Sequence, residues 1–516
     1  MTPTMDIIIA IFAPLFAVPV LALFGTRANL REAATLITAA ITFFAVVALF
    51  DDVAGGARPT LVMGEMLLGL SITFTVEPLG MLFAGIASGL WIVTTIYAIG
   101  YMRGHAEKNQ TRFYICFAIA ISSAIGIAFA GNMLTLFVFY EVLTISTFPL
   151  VAHSGTQEAK RAGRVYLGIL IGTSIVLQLT AIIWTWSLTG TLDFVEGGIM
   201  KDKVSAGMTA LLLAMYVFGI GKAAVMPFHR WLPSAMVAPT PVSALLHAVA
   251  VVKAGVFTVL KVVIYIFGIE NLANLGSSYW LQYAAAGTLL IASLVAMRKD
   301  NLKARLAYST VSQLSYIVLG AMLATKVSAL GGAMHIAMHA FGKITLFFCA
   351  GAIMVASHKT EISDMRGLGR KMPVTFICFF IGTLSIIGLP PLGGVWSKWY
   401  LALGAAETDQ IIFVAVFMIS SLLNVAYLVP IVVRGFFSAP PDDGHDHHDH
   451  HDDHSHGAPA NPGDASAPNN WHLFGWSEAP AACVGALVFT AIGCFVLFFQ
   501  ADTIYRFLLP LVGGSP

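Results

Sequence analysis

Fourteen stretches of this sequence are apolar and long enough to cross a lipid bilayer as helices. The hydrocarbon core of a bilayer is about 30 Å thick, so a spanning helix needs about 20 predominantly apolar residues. Only 11% of the residues are charged, whereas a soluble domain carries about 25%. We therefore predict an all-α polytopic membrane protein. The predicted spans are 6–25, 33–50, 77–100, 112–130, 132–151, 165–187, 205–227, 240–267, 280–297, 304–324, 329–356, 373–401, 411–436 and 478–500.

The basic residues are distributed unevenly between the two sets of alternate loops. Of the 28 lysines and arginines, eighteen fall in one set, five in the other set or the C-terminal tail, and five inside spans. Cytoplasmic loops of membrane proteins carry the excess of lysine and arginine. This rule predicts a multi-pass protein of the cell (inner) membrane with both termini outside. It also places the loop 437–477 in the cytoplasm.

The sequence carries no motif typical of soluble enzyme chemistry. Its five cysteines lie in apolar runs without metal-ligand spacing, which is typical of small buried hydrophobic side chains. There is no phosphate-binding loop, nucleophile elbow or nucleic-acid-binding module. The first apolar run lacks the basic segment and the cleavage site of a signal peptide, so we interpret it as the first span. We expect no resident cofactor and no nucleic-acid partner.

A small set of titratable residues lies inside the apolar runs. A lysine at the centre of a bilayer costs about 2.5–3.5 kcal/mol on insertion scales, so such residues are rare unless they are paired or face water. Their recurrence in one chain is typical of a proton or cation path, although each histidine could instead be a polar group packed between helices. The candidate proton-path residues are Glu141, Lys222, His247, Lys253, His335, His339, Lys343 and Lys398.

Three of these residues are spaced for a relay along one helix. His335, His339 and Lys343 recur every four residues, which places them on one helix face with a rise of about 6 Å between successive groups. Histidine titrates near neutrality, so it can both accept and release a proton at physiological pH.

The acidic residues single out one further pair. Glu141 is the only acidic residue in the middle of a predicted span, so we expect it to form an ion pair with Lys222. Lys261 lies nearer the end of its span, where a long side chain can extend its ammonium to the membrane interface.

Two segments interrupt helical regularity inside apolar runs. The first surrounds Pro227, and the second runs from Gly388 to Gly394 and contains Pro390 and Pro391. Non-helical backbone at membrane depth is tolerated only where it is buried in protein or lines a cavity. Helix breaks at corresponding places in two halves of a chain are typical of a transporter built from inverted repeats.

The loop at 437–477 differs in composition from the rest of the chain. It contains histidines interleaved with aspartates, followed by a stretch rich in Ala, Pro, Asn and Gly. Two interpretations remain open, a weak site for zinc, nickel or copper and a solvated linker. The possible metal ligands are His445, His447, His448, His450, His451, His454 and His456.

Several motifs resemble those of the antiporter-like proton channel family. This family comprises the D-type and A-type subunits of Mrp-type multisubunit Na⁺/H⁺ antiporters and the antiporter-like subunits of complex I and of membrane hydrogenases. The resemblance covers roughly residues 75–435. The motifs that carry it are FVFYE at 137–141, FHRWLP at 228–233, APTPVSALLHA at 238–248, KAGV at 253–256, LAYSTVSQ at 306–313, HAFGK at 339–343 and GLPP at 388–391.

The resemblance implies a fold and a set of roles. It implies about fourteen transmembrane helices with two inverted five-helix repeats, each containing a broken helix. Glu141 resembles the family's fifth-span glutamate and Lys222 its seventh-span lysine, while Lys398 resembles the terminal residue of the twelfth span. The other candidates match as pairs, with His247 and Lys253 on the eighth span and His339 and Lys343 on the eleventh.

The resemblance also implies a division of the chain into five parts. These are N-terminal helices and loops at 1–111, a first antiporter-like repeat at 112–267, a second repeat at 280–436, the His/Asp-rich cytoplasmic loop at 437–477, and a C-terminal helix and tail at 478–516.

Chain length and Lys398 favour the D-type subunit of an Mrp antiporter within the family. On this interpretation the chain is part of a secondary transporter rather than an enzyme. It moves protons along the Lys/His/Glu relay in exchange for monovalent cations such as Na⁺, and its partners are other membrane subunits of a hetero-oligomeric complex and the lipid bilayer. Two alternatives stay open, a membrane subunit of a redox-driven pump of the complex I or hydrogenase type and a membrane subunit of an inorganic carbon uptake complex.

Overall fold

The computed structural model describes residues 2–67, 69–408, 410–439, 471–473 and 476–514. Each of the fourteen predicted spans coincides with one helix or with helical segments in succession. Eleven of the helices in these ranges are long and apolar enough to cross a membrane. The prediction of an all-helical polytopic fold is confirmed, and two short β-hairpins add to it.

Twelve α-helices form the first half of the chain. They are α1 (Pro3–Leu23), α2 (Ala28–Ala48), α3 (Phe50–Ala54), α4 (Pro78–Gly104), α5 (Gln110–Ala128), α6 (Met133–Val151), α7 (Gln157–Thr173), α8 (Thr180–Thr189), α9 (Ala206–Gly219), α10 (Trp231–Ser234), α11 (Thr240–Ala244) and α12 (Val251–Lys261). Short π-helical segments continue α7 into α8, α11 towards α12, and α12 to Phe267.

Ten α-helices form the second half of the chain. They are α13 (Ile269–Leu275), α14 (Tyr279–Met297), α15 (Leu302–Met322), α16 (Lys326–Ser357), α17 (Leu368–Lys371), α18 (Pro373–Ile387), α19 (Gly394–Ala406), α20 (Ile411–Phe437), α21 (Ala481–Phe499) and α22 (Ala501–Leu508).

Helical structure is interrupted at both segments that the sequence singled out. The chain leaves α9 at Gly219 and forms one 3₁₀ turn, Gly221–Ala223, before α10 begins beyond Pro227. The second interruption separates α18 from α19 and contains Pro390 and Pro391. Both segments lie within otherwise apolar spans.

One end of the helix bundle carries a β-hairpin, and we call this end the hairpin face. Strands β1 (Thr60–Leu67) and β2 (Leu70–Thr75) pair antiparallel. The hairpin is held to the start of α6, where the Asn132 side chain donates to the Ser71 carbonyl. This hairpin was not predicted from the sequence, because the contacts that hold it to the 130–135 region join residues that are distant in the chain.

The opposite end carries most of the lysine- and arginine-rich loops, and we call it the basic face. Arg112 donates to the carbonyl of His153 there, and Lys303 donates to the carbonyl of Ala238. The second short hairpin pairs β3 (Trp471–Leu473) with β4 (Trp476–Glu478). In β4 the Glu478 carboxylate accepts hydrogen bonds at the start of α18.

The segment from Thr240 to Phe267 forms the centre of the bundle. Every residue in it is buried, and it packs against α16, which is also largely buried. The outer helices instead expose large apolar side chains such as Phe16, Phe44 and Leu422. This gradient is the one expected for a bundle whose outer surface faces lipid tails.

Candidate proton pathway

The 3₁₀ turn that carries Lys222 packs directly on α12. A Cβ atom at Gly255 would overlap backbone atoms of Lys222 and Ala223. Only glycine therefore allows the broken segment and α12 to approach so closely. This contact brings the segment of Lys222 beside the helix of Lys253.

Lys253 and His339 form the central contact of the site. The Lys253 Nζ lies 2.5 Å from Nδ1 of His339, across the interface between α12 and α16. Both side chains are buried. When Lys253 is an ammonium, Nδ1 accepts the hydrogen bond and the imidazole carries its proton on Nε2. Two groups that both exchange protons are therefore in direct contact.

Lys253 and His339 begin a row of buried titratable side chains, which continues along α16 towards α19. The rings of His339 and His335 stack with centroids 5.8 Å apart, and Nδ1 of His335 lies 2.8 Å from the Ser397 hydroxyl. The Tyr316 ring stacks on His335 at 5.7 Å and lies 4.6 Å from the Lys398 ammonium. These contacts link four of the predicted residues from α12 to α19.

Lys398 lies next to the second helix interruption. Its ammonium donates to the Ile387 carbonyl at 3.2 Å and to the Ser421 hydroxyl at 3.1 Å. The end of α18 leaves this carbonyl free of an intrahelical partner, which makes it available to a cation. The interruption thus supplies a ligand for the charged end of the row.

Lys343 forms a side branch of the same row. It lies one turn beyond His339 on α16 and donates to the Ser309 hydroxyl at 2.8 Å. The Tyr427 hydroxyl in turn lies 3.0 Å from the Ser309 hydroxyl and also contacts the side-chain oxygen of Asn424. The branch connects α16 through α15 to α20.

The positive charges of this row have no acidic partner in the described part of the chain. None of the ion pairs found there involves Lys253, Lys343 or Lys398. Protonation of one group therefore makes protonation of its neighbours less favourable.

Lys222 does not form the ion pair with Glu141 that the sequence analysis expected. Its ammonium instead donates to the Tyr140 carbonyl at 2.8 Å and to the Thr144 hydroxyl at 2.5 Å, and it lies 3.1 Å from the centroid of the Tyr140 ring. Both carboxylate oxygens of Glu141 are buried, and neither has a hydrogen-bond partner in the described ranges. The backbone carbonyl of a neighbouring residue thus takes the place of the expected carboxylate.

His247 is buried between α4, α11 and α16 without a polar contact of its own. Neither ring nitrogen has a hydrogen-bond partner among the described residues, and the ring lies 4.7 Å from that of Phe347. A buried imidazole without partners is costly, and water is the usual way to satisfy one. His247 is thus in the bundle centre, as expected, but it does not touch another member of the row.

The structure adds one charged pair that the sequence analysis missed. Lys261 is buried and contacts the carboxylate of Glu77, which immediately precedes α4. The ammonium therefore does not extend to the interface as expected. The signal in the sequence is a glutamate at the predicted boundary of the third span, and only the packing of α4 on α12 distinguishes it from an interfacial residue.

The possible metal ligands of the histidine-rich loop lie outside the described residues. His445 to His456 all fall in the range 440–470. The interpretation of this segment as a weak metal site or a linker stays a prediction.

Comparison with protein families matches the part of the chain that contains this row. Residues 130–424 match the family described as NADH:quinone oxidoreductase/Mrp antiporter, TM. The match covers more than half of the chain and includes all eight candidate proton-path residues. The chain therefore belongs to this family of antiporter-like membrane subunits.

Individual relatives come from both branches of the family name. The chain is 30% identical over 377 residues to NADH-quinone oxidoreductase subunit N of Desulforudis audaxviator (strain MP104C), a match that covers 72% of this chain and 74% of that protein. It is also 30% identical over 417 residues to a probable K(+)/H(+) antiporter subunit of Rhizobium meliloti (strain 1021). That match covers 78% of this chain and 41% of the relative, so the chain spans less than half of the second protein.

Two solved structures share the fold over nearly the whole chain. A chain of the Mrp complex from Dietzia sp. DQ12-45-1b superposes with a TM-score of 0.81 and 20% identity, covering 98% of this chain and 96% of that one. A chain of the membrane-bound sulfane sulfur reductase (MBS), an archaeal respiratory membrane complex, superposes with a TM-score of 0.82 and 22% identity, covering 98% of each chain. At these identities the likeness concerns the fold.

Proposed function

We propose that this chain is a proton-translocating subunit of a multisubunit monovalent cation/proton antiporter, in the position of the D-type subunit of an Mrp complex. The observation that carries the proposal is the direct contact between Lys253 and His339, which joins the two halves of the buried row. The family match and the likeness to a chain of an Mrp complex support it. On this proposal the coupled cation is Na⁺ and the other partners are further membrane subunits.

Protons would move along the row by successive transfer. A proton that reaches Lys253 passes to His339, then by way of His335 to Lys398, while Lys343 takes part from its side branch. Each transfer leaves the donor neutral and able to accept the next proton. One charge that crosses the membrane exchanges about 2.3 kcal/mol per 100 mV.

Lys222 and Glu141 would act as a switch between a separated and a paired arrangement. The structure contains the separated arrangement, in which Lys222 is held by the Tyr140 carbonyl and Thr144. When the two groups pair, the carboxylate stabilises the charged lysine, and when they separate, the proton of Lys222 is released more easily. We propose that this change controls when the row accepts a proton.

The test is cation-triggered dissipation of a proton gradient in inverted membrane vesicles that contain the complete native complex. We expect Na⁺ or K⁺ to dissipate the gradient with the unchanged chain, and Lys253→Ala to abolish the response. Lys160→Ala changes an exposed lysine at the start of α7 and should leave the response unchanged. A complex with assembled Lys253→Ala that still responds fully would contradict the proposed path.

A redox-driven pump is the second candidate function. The identity to an NADH-quinone oxidoreductase protein over 74% of its length favours it. In such an assembly the row would move protons in the same way, but partner subunits would supply electrons. Co-purification with subunits that contain iron–sulfur clusters, together with no response to any monovalent cation, would favour this function over the antiporter.

A further inference from the structure

A buried charged cluster is formed by Lys261 on α12, Glu77 and Tyr265. It lies nearer the hairpin face than the row described above. The ammonium of Lys261 contacts one carboxylate oxygen of Glu77, and the Tyr265 hydroxyl donates to the other. The Lys261 side chain is 1% exposed and that of Glu77 is 9% exposed. The ammonium also lies 4.3 Å from the centroid of the Phe194 ring. Both charges are thus enclosed by protein.

Stability alone does not account for an ion pair in this place. Removing two charges from water costs several kcal/mol per ion, and replacing a buried pair by apolar residues of similar volume is often neutral or stabilising. An apolar contact would therefore hold α4 to α12 equally well. Ionisable residues retained within a membrane span usually belong to an ion or proton path.

The cluster lies between the row and the hairpin face. Lys261 follows Lys253 by eight residues on the same helix, a rise of about 12 Å. The buried hydroxyl of Thr258 lies between them along the helix. Proton transfer between the two ammonium groups would require water molecules beside this hydroxyl.

Charged residues of the hairpin-face loops surround the other side of the cluster. Glu196 and Arg58 lie close enough to Tyr265 to act on it electrostatically. Glu196 also lines a cavity of about 170 Å³ together with Lys201, Glu270 and other residues. A polar cavity of this size has room for several water molecules. Ile264, which precedes Tyr265 in the chain, also lines this cavity.

We propose that Lys261, Glu77 and Tyr265 form a proton-transfer site that connects Lys253 with the hairpin face. This inference rests on the proposed function of the row. In the observed orientation, a hydronium ion at the hairpin face gives its extra proton to the Tyr265 oxygen while the hydroxyl passes its own proton to the Glu77 carboxylate, which leaves neutral water. Lys261 then gives its proton through water to a neutral Lys253, and Glu77 passes the proton that it received to Lys261. The Tyr265 hydroxyl rotates back towards Glu77, so every group of the cluster returns to its starting state, and the reverse sequence moves a proton outward.

Lys261→Arg separates a proton-transfer role from a purely structural one. Arginine keeps the positive charge beside Glu77, but its guanidinium does not release a proton in proteins. We expect the complex with Lys261→Arg to assemble and its cation-triggered proton flux to fall at least about tenfold, since a positioned transfer group typically contributes about 10²–10⁴-fold. Arg506→Gln removes an exposed ion pair on α22 and serves as the control that should transport normally.

Two further variants decide the question if arginine does not fit. The double variant Glu77→Gln with Lys261→Met removes both charges together, so it should assemble better than Lys261→Met alone but remain slow in transport. Tyr265→Phe leaves the ion pair in place and should also slow the flux. Flux at the unchanged rate in either assembled variant would overturn the inference and leave the cluster a structural contact.

Lys253→Met, measured in the same vesicles, separates this inference from the proposed function. If Lys253→Met transports normally, the proposed path itself fails. If Lys253→Met is inactive while Lys261→Arg and Tyr265→Phe transport normally, only the connection to the hairpin face fails.

Discussion

The hydroxyl of Thr144 offers a direct test of how the structure holds Lys222. It accepts a hydrogen bond of 2.5 Å from the buried ammonium, which has the Tyr140 carbonyl as its other acceptor. Valine has nearly the same shape as threonine but no hydroxyl. Thr144→Val therefore removes one of two acceptors without leaving a cavity.

The expected effect follows from the strength of this hydrogen bond. Hydrogen bonds to charged groups contribute about 1.5–3 kcal/mol, and about 1.4 kcal/mol corresponds to a factor of ten in an equilibrium. The charged form of Lys222 should therefore become at least about tenfold less favourable. If transport depends on that form, the cation-triggered proton flux should fall by a similar factor.

The matched control is Thr147→Val on the same helix. Thr147 is equally buried, but its hydroxyl contacts Tyr166 and backbone carbonyls rather than Lys222. Flux in inverted vesicles and the amount of assembled complex on native gels would be measured for both variants. An assembled Thr144→Val complex that transports at the unchanged rate, or a Thr147→Val complex that is equally slow, would refute the role assigned to the Thr144 hydroxyl.

Three further variants test other contacts. Ser397→Ala removes the hydroxyl that contacts His335. One hydrogen bond contributes about 0.5–1.5 kcal/mol, so the proton flux should fall about two- to tenfold. An unchanged flux would exclude this link. Burial and the nearby arginine lower the pKa of His153 below its ordinary value of 6.5, so the folded chain binds this proton less well than the unfolded chain and loses stability as pH falls below about 6.5. The melting temperature of His153→Gln should therefore fall less on acidification than that of the unchanged protein. An equal fall in both proteins would contradict this assignment. Gly255→Ala should destabilise the purified protein by about 1–3 kcal/mol or more, while Gly287→Ala, where a Cβ meets nothing within 4 Å, should not.

The spans and the list of titratable residues could be predicted from the sequence. A run of about 20 apolar residues has few alternatives to a spanning helix, and all fourteen such runs form helices, two of them with an interruption. Prolines and glycines likewise marked both interruptions, because their backbone chemistry acts locally. A lysine in an apolar run is rare enough to be noticed without a structure.

The partners of these residues could not be predicted in the same way. Glu141 was the obvious counter-charge for Lys222, yet the ammonium is satisfied by a carbonyl and a hydroxyl. Serines, threonines and tyrosines are frequent in membrane helices, so nothing in the sequence distinguishes Thr144 or Ser397 from other hydroxyl residues. Their importance comes from which helices pack together.

The sequence by itself determined which segments form apolar helices and which ionisable groups lie within them, because hydrophobicity and helix formation act on each segment independently. Only the tertiary structure decided which of those groups meet. It placed Lys253 against His339 and Lys261 against Glu77, because a hydrogen bond requires two atoms within about 3 Å. Residues so distant in sequence reach that separation only through the packing of α12 between α4 and α16.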